Sequence, residues 1–218
     1  MEPLNRQSET VTNRAATLFL LGDSISLQYS PYLRKMLGGK YRLVQKENPD
    51  EAMRNLDNPT GGNGGDSRMV LDYLLQREAA GVMNEDALIL NCGLHDIKRK
   101  SDTRNLQVSP VDYESNLKQI LALIARCNIP FLWIRTTPVE DERHNRLSSE
   151  FHRYNQDVEI YNGIADRLML EAGVPILDLN GFTRSLGDGV YCDHVHYTEA
   201  ARAQQAAYIA GFLASYMK

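Results

Sequence analysis

Apolar residues along the chain fall into two alternating kinds of run. The first, 16–21 (ATLFLL), stops at Gly22-Asp23-Ser24, which suits a buried strand ending in a turn. Residues 26–37 then space Leu27, Tyr32, Leu33, Met36 and Leu37 at intervals that include i, i+4 pairs, with Gly38-Gly39 as a stop and Pro31 interrupting the early turns. That pattern predicts a helix. The alternation continues with a strand at 41–44 and a helix at 67–80 carrying Val70, Leu71, Leu74 and Leu75 on one face. A buried strand follows at 86–92 (DALILNC), then an amphipathic helix at 111–127 and a strand at 130–135. The last elements are a helix at 154–172 closed by Gly173, a strand at 174–179 and a helix at 198–216. Between the second strand and second helix, 48–67 is rich in Asn, Pro, Gly and Asp, which predicts a long irregular loop with a functional rather than a packing role.

Alternating strands and helices imply right-handed crossovers and a mostly parallel sheet covered on both faces. The expected architecture is therefore three-layer α/β/α, a flavodoxin-like five-stranded sheet, forming one domain over 16–218 behind a polar N-terminal segment, 1–15. In such sheets ligands sit outside the carboxyl ends of the strands. The loops to search are 22–26, 58–67, 93–100 and 187–197.

Composition narrows the function. The chain has 218 residues, 43% of them hydrophobic, which fits a single core. Its net charge of -4 leaves no excess of positive charge to follow a phosphate backbone, so nucleic acid is not an expected partner. No apolar stretch reaches the ~18 residues of a membrane span, and the N-terminus is polar where a secretory signal is apolar. A cytoplasmic protein is the expectation. Cys92, Cys127 and Cys192 are odd in number and lack metal-ligand spacing, so neither a disulfide framework nor a structural zinc is expected. Homo-oligomerisation is not readable from the sequence.

Ser24 follows the first strand and opens a helix, where unpaired amides and the helix dipole favour negative charge. Serine there is either an N-cap, a role Asp23 can also fill, or a nucleophile awaiting a base. Asp193-His194-Val195-His196 precedes the last helix, at the same sheet edge. Residues three apart can face one side, so Asp193 suits holding the imidazole of His196 for Ser24, while His194 points elsewhere. The competing readings are that Asp193 and His196 cap the last helix, or that Asp193, His194, His196 and His95 gather a metal, although their spacing matches no familiar ligand set.

In combination these motifs resemble the SGNH or GDSL superfamily of serine esterases, lipases and acylhydrolases. The GDS turn is Gly22-Asp23-Ser24-Ile25-Ser26; the second block is Gly64-Gly65-Asp66-Ser67; the last is Asp193-His194-Val195-His196. The resemblance implies catalytic Ser24, Asp193 and His196, an oxyanion hole from the amides of Ser24 and Gly65, and no cofactor or metal. The third block departs from the family: GxND is here Gly93-Leu94-His95-Asp96, so the oxyanion side chain falls to His95, with Asn91 a weaker substitute.

The expected reaction is hydrolysis of a small-molecule carboxylic ester, a short-acyl or acetyl ester of a polar alcohol such as a sugar. The alternatives are a thioesterase or lysophospholipase-type acylhydrolase, or a non-catalytic carbohydrate-binding relative. The loop histidines His144 and His152 read as surface or packing residues rather than catalytic ones, and Lys98-Arg99-Lys100 and the segment 138–154, with Asn145, Arg146 and Arg153, as solvated faces. Facing the site instead, they suit a polar or anionic substrate. Trp133 is expected in the core.

Overall fold

The computed structural model describes residues 14–216. The polar segment is thus outside the described residues except for its last two positions. In chain order the elements are β1 (Ala16–Leu21), α1 (Ser24–Met36), β2 (Tyr41–Gln45), α2 (Pro49–Ala52), α3 (Ser67–Ala79), β3 (Ala87–Leu90), β4 (Arg99–Lys100) and α4 (Pro110–Cys127). There follow β5 (Phe131–Ile134), α5 (Asp141–Leu147), β6 (Phe151–His152), α6 (Asn155–Glu171), β7 (Ile176–Leu177), α7 (Leu179–Ser185) and α8 (Glu199–Tyr216).

Five strands form one parallel sheet in the order β2-β1-β3-β5-β7. This is the expected flavodoxin-like 2-1-3-4-5 sequence of parallel strands. β1, β3 and β5 are buried along almost their whole length because helices cover both faces. α1 packs on α8 on one face, and α4 lies between α3 and α6 on the other. Leu18, Leu88, Leu117, Ile120 and Trp133 lie in the core, each no more than 1% exposed.

Local chemistry explains where the elements differ from expectation. α1 begins at Ser24 rather than 26 because Asp23 caps it, accepting from the Ile25 amide at 2.9 Å. Pro31 does not break α1: its missing N–H would leave the Leu27 carbonyl unpaired, and the Ser30 hydroxyl donates to that oxygen at 3.0 Å. The strand expected at 174–179 shortens to Ile176–Leu177 because Asp178 caps α7, accepting from the Gly181 amide at 2.9 Å. The long loop holds one helical turn, α2, entered through Asn48 at φ 58°.

The basic segments also contain unexpected structure. β4 and β6 pair antiparallel, Arg99 with His152 and Lys100 with Phe151, so the loop after β3 is tied to the segment after α5. This small ladder carries Phe151 and Arg153 towards the sheet edge where Ser24 lies.

The core assignment predicts unequal costs. Leu88→Ala, at a fully buried position in the central strand, should destabilise the protein by about 2–5 kcal/mol in denaturant unfolding. Val111→Ala, 78% exposed on α4, should shift stability by no more than about 0.5 kcal/mol.

Candidate active site

With Asp23 serving as the cap, the Ser24 side chain is free for another partner. Ser24 occupies the first helical position, where its amide has no intrahelical acceptor. Its Oγ lies 2.9 Å from His196 Nε2. His196 Nδ1 lies 2.8 Å from Asp193 Oδ2. The other carboxylate oxygen, Oδ1, accepts from the amides of Val195 at 2.8 Å and His196 at 2.7 Å. Asp193 therefore folds its own turn and orients the imidazole at once, while Thr198 takes the capping contact of α8 through its hydroxyl, which accepts from the Ala201 amide at 3.4 Å. The capping reading of Asp193 and His196 gives way to this arrangement. Burial alone would raise the Asp193 pKa, but the hydrogen bonds from His196 and Val195 outweigh it and hold the carboxyl well below the usual range.

His194 turns away from Ser24, as expected, and meets Asp57 Oδ1 through Nε2 at 3.0 Å. Donor atoms of Asp193, His194 and His196 approach within 4.8 Å of one another. Both nitrogens of His196 are nevertheless engaged, one by Ser24 and one by Asp193, and His95 does not join the group. This donor set fits a hydrogen-bonded relay better than a metal site.

The second block lies against the first. The Gly64 amide donates to the Gly22 carbonyl at 2.8 Å, an approach so close that a Cβ on Gly64 would stand 3.0 Å from that oxygen. Gly65 adopts φ +74°, and its amide donates to Asn63 Oδ1 at 2.9 Å. The expected oxyanion amide is thus held by a buried asparagine that the sequence did not single out. The third block joins them, since both oxygens of Asp96 accept from the Ser67 amide, at 2.9 and 3.0 Å. Burial pushes the Asp96 carboxyl up to about 7, against the pull of those bonds.

His95 is 1% exposed and neither ring nitrogen has a partner among the described residues. Burial, then the nearby charges of Lys98 and Arg153, lower its pKa far below the usual value. These surroundings favour the neutral ring, which offers one N–H donor. Asn91 is not the substitute, because its amide group donates to the Ile134 carbonyl at 2.9 Å and reaches Thr136 Oγ1 at 3.4 Å.

Two cationic side chains from the supposed solvated faces are buried instead, and His144 is buried with them. Lys98 is 8% exposed, its ammonium donating to the Asp57 carbonyl at 2.6 Å. Arg153 is 1% exposed, with Nε donating to the Leu94 carbonyl at 2.7 Å and Nη1 to His144 Nε2 at 3.1 Å. Arg99 pairs with Asp157 through two bonds of 2.7 and 2.8 Å, and Arg146 is exposed. Local sequence carries no sign of this difference, since burial of the two cations follows from the β4–β6 pairing.

Ser24 and His196 are themselves almost covered, 2% and 1% exposed. Among the described residues neither lines a large cleft: one of about 420 Å³ is lined by Asn55, Asp57, Pro59, Lys98, Glu150 and Phe151 among others. A smaller one of about 230 Å³ adjoins it through Asp57 and Phe151 and reaches His194.

The fold is similar to several solved structures. A lipase/acylhydrolase from Enterococcus faecalis is 14% identical with a TM-score of 0.67, over 92% of this chain and 96% of that one. Est24, a carbohydrate acetylesterase from Sinorhizobium meliloti, is 15% identical with a TM-score of 0.63, over 92% and 99%. An aryl esterase from M. smegmatis is 18% identical with a TM-score of 0.62, over 92% and 99%. Such identities speak for the fold. No curated protein matches the chain significantly. Among the described residues no helix is long and apolar enough to cross a membrane. A family model described as GDSL-like lipase/acylhydrolase matches residues 18–209, and with motifs and fold agreeing over that span, the chain belongs to this family of carboxylic ester hydrolases.

Proposed function

We propose that the protein hydrolyses its ester through an acyl-enzyme on Ser24. The observation that carries this reading is the continuous relay Ser24–His196–Asp193, with contacts of 2.9 and 2.8 Å. Ser24 Oγ attacks the carbonyl carbon as its proton passes to His196 Nε2, and the carbonyl π electrons move onto oxygen. The oxyanion meets the unpaired Ser24 amide and the neutral His95 ring. A full negative charge is a stronger acceptor than an amide oxygen, so it also draws the Gly65 N–H from Asn63, which until then keeps that donor aimed. Collapse of the intermediate expels the alcohol, which takes the proton from His196. Water then repeats the sequence on the acyl-enzyme and releases the acid.

The substrate reading is a short-acyl or acetyl ester of a polar alcohol. The charged side chains Asp57, Lys98, Lys100 and Glu150 that line the larger cleft support it. The similarity in fold to a carbohydrate acetylesterase and an aryl esterase is in keeping with it. An oriented serine-histidine pair has no use in a protein that only binds sugar, so the geometry favours catalysis over binding alone.

Ser24→Ala should lower kcat/KM for short p-nitrophenyl esters by about a thousandfold or more, with an unchanged melting temperature and no labelling by a fluorophosphonate. Retained activity would remove Ser24 from the mechanism.

For the oxyanion role, His95→Ala should reduce kcat about 10²–10³-fold, and His95→Asn should recover a measurable part. Wild-type kcat in His95→Ala would show that the ring does not touch the oxyanion.

The Asp193 pKa gives a stability prediction. Its folded value lies below the 3.8 of a free carboxyl, so its stabilising effect is complete above about pH 4 and is lost as pH falls towards the folded value. The melting-temperature gap between wild type and Asp193→Asn should therefore narrow between about pH 6 and about pH 2.5. A gap independent of pH would contradict the assigned hydrogen bonds.

A further inference from the structure

Arg153 is the most deeply buried cation among the described residues, and it enters no ion pair there. Two of its nitrogens are placed, by the Leu94 carbonyl and His144 Nε2. Its Nη2 group has no hydrogen-bond partner among the described residues, yet it is not among the unpartnered atoms sealed from solvent. Burial lowers its pKa to about 10, which still leaves it charged at neutral pH. A buried guanidinium with no carboxylate in direct contact is unusual, because a charge without a paired counter-ion is costly to desolvate.

Its location is informative. Leu94, which holds Nε, immediately precedes His95. The His144 ring that receives Nη1 lies edge-on to His194 at 4.9 Å, and His194 lies edge-on to His196 at 5.6 Å. Arg153 therefore bridges the loop after β3 to α5, whose His144 ring packs against the turn that carries His196. Its guanidinium also lies 4.8 Å from the centroid of the Phe151 ring, and Phe151 lines both clefts. Asp23, Asp57 and Asp193 feel its charge, but each is committed to another partner: Asp23 to the Ile25 amide, Asp57 to His194, and Asp193 to His196.

We infer that Arg153 is the anion-recognising residue of this site, and that the ester it hydrolyses carries a carboxylate, paired by the open edge of the guanidinium. This deepens the esterase reading and rests on it. The carboxylate lies on the acyl or on the alcohol portion of the ester, and the test separates the two.

Three esters provide the arms: 4-nitrophenyl acetate, 4-nitrophenyl hydrogen succinate with an acyl-side carboxylate, and 4-acetoxybenzoate with an alcohol-side one. Each charged ester is compared with its methyl-capped, uncharged counterpart. In one arm the wild type should favour the charged ester at least about tenfold in kcat/KM, and Arg153→Gln should reduce that charged-to-uncharged ratio about 10–100-fold. Arg153→Lys should restore part of it. A purely structural arginine would lower both members of a pair together and leave the ratio unmoved, which overturns the proposal, as does a wild type with no charge preference in either arm. If Arg153→Gln does not fold, the wild-type ratio and Arg153→Lys decide.

Failure of the esterase reading is distinguishable. If no ester is turned over, calorimetric titration of succinate and of 4-hydroxybenzoate into Ser24→Ala still probes the anion site. Binding of one of them that is lost in Ser24→Ala/Arg153→Gln supports the inference, and no binding of either overturns it.

Discussion

The candidate site depends on one constraint: every strand of the main sheet runs in the same direction, so all of their carboxyl ends reach one edge. Ser24 and His196 are 172 positions apart, and only this parallel order brings Oγ within 2.9 Å of Nε2. The pairing continues beyond the strands themselves. The Gly64 amide reaches the Gly22 carbonyl at 2.8 Å and the Asn91 amide reaches the Leu21 carbonyl at 3.0 Å, so the loops after β2 and β3 dock on the loop after β1. Glycine at 22 permits this crowding, because a Cβ there would come within 2.8 Å of the Ser26 hydroxyl.

Behind that edge, buried polar side chains fix the loops after β3 and β5. The Cys92 carbonyl accepts from the hydroxyls of Tyr113 at 3.1 Å and Thr136 at 3.0 Å. Asn162 bonds both the amide and the carbonyl of Thr136, each at 2.9 Å, and Asn180 donates to the same carbonyl at 2.7 Å. Gly93 passes through this cluster at φ +144°, with Thr136 Oγ1 only 2.4 Å from where a Cβ would be. The glycine before His95 is thus required by packing against β5 as well as by turn geometry. A loop whose carbonyls are satisfied in this way holds the following side chain in one place.

The fold and the relay were legible in the sequence for related reasons. Strands such as β1 and β3 are short, buried on both faces and closed by Gly or Asn turns, so local pattern and tertiary role agree. Ser24 and the Asp193/His196 pair stand immediately beside such boundaries. What could not be read depends on contacts between distant segments. Asn63 holds the Gly65 amide through a turn that composition marks only as irregular. Arg153 and Lys98 belong to stretches that look like solvated faces, and they are buried because a two-residue ladder between β4 and β6 turns them inward. Two-residue strands lie below the length at which hydrophobic periodicity gives any signal.

The histidine at position 95 lies within reach of the same buried charge. An asparagine amide donates whatever its surroundings, whereas an imidazole donates a single N–H when neutral and changes character when protonated. Burial, together with Lys98 and Arg153 nearby, suppresses that protonation. His144, which accepts from Arg153, is likewise held neutral, its pKa lowered to about 3 by burial and then by that charge. Arg153 and Lys98 thus carry the positive charge of this wall and favour His95 and His144 as neutral dipoles. On the proposed mechanism this division has a consequence for catalysis. The donor at the oxyanion keeps one protonation state across neutral pH, so acid-base chemistry is confined to His196, and the charged group nearby is left to distinguish one substrate from another.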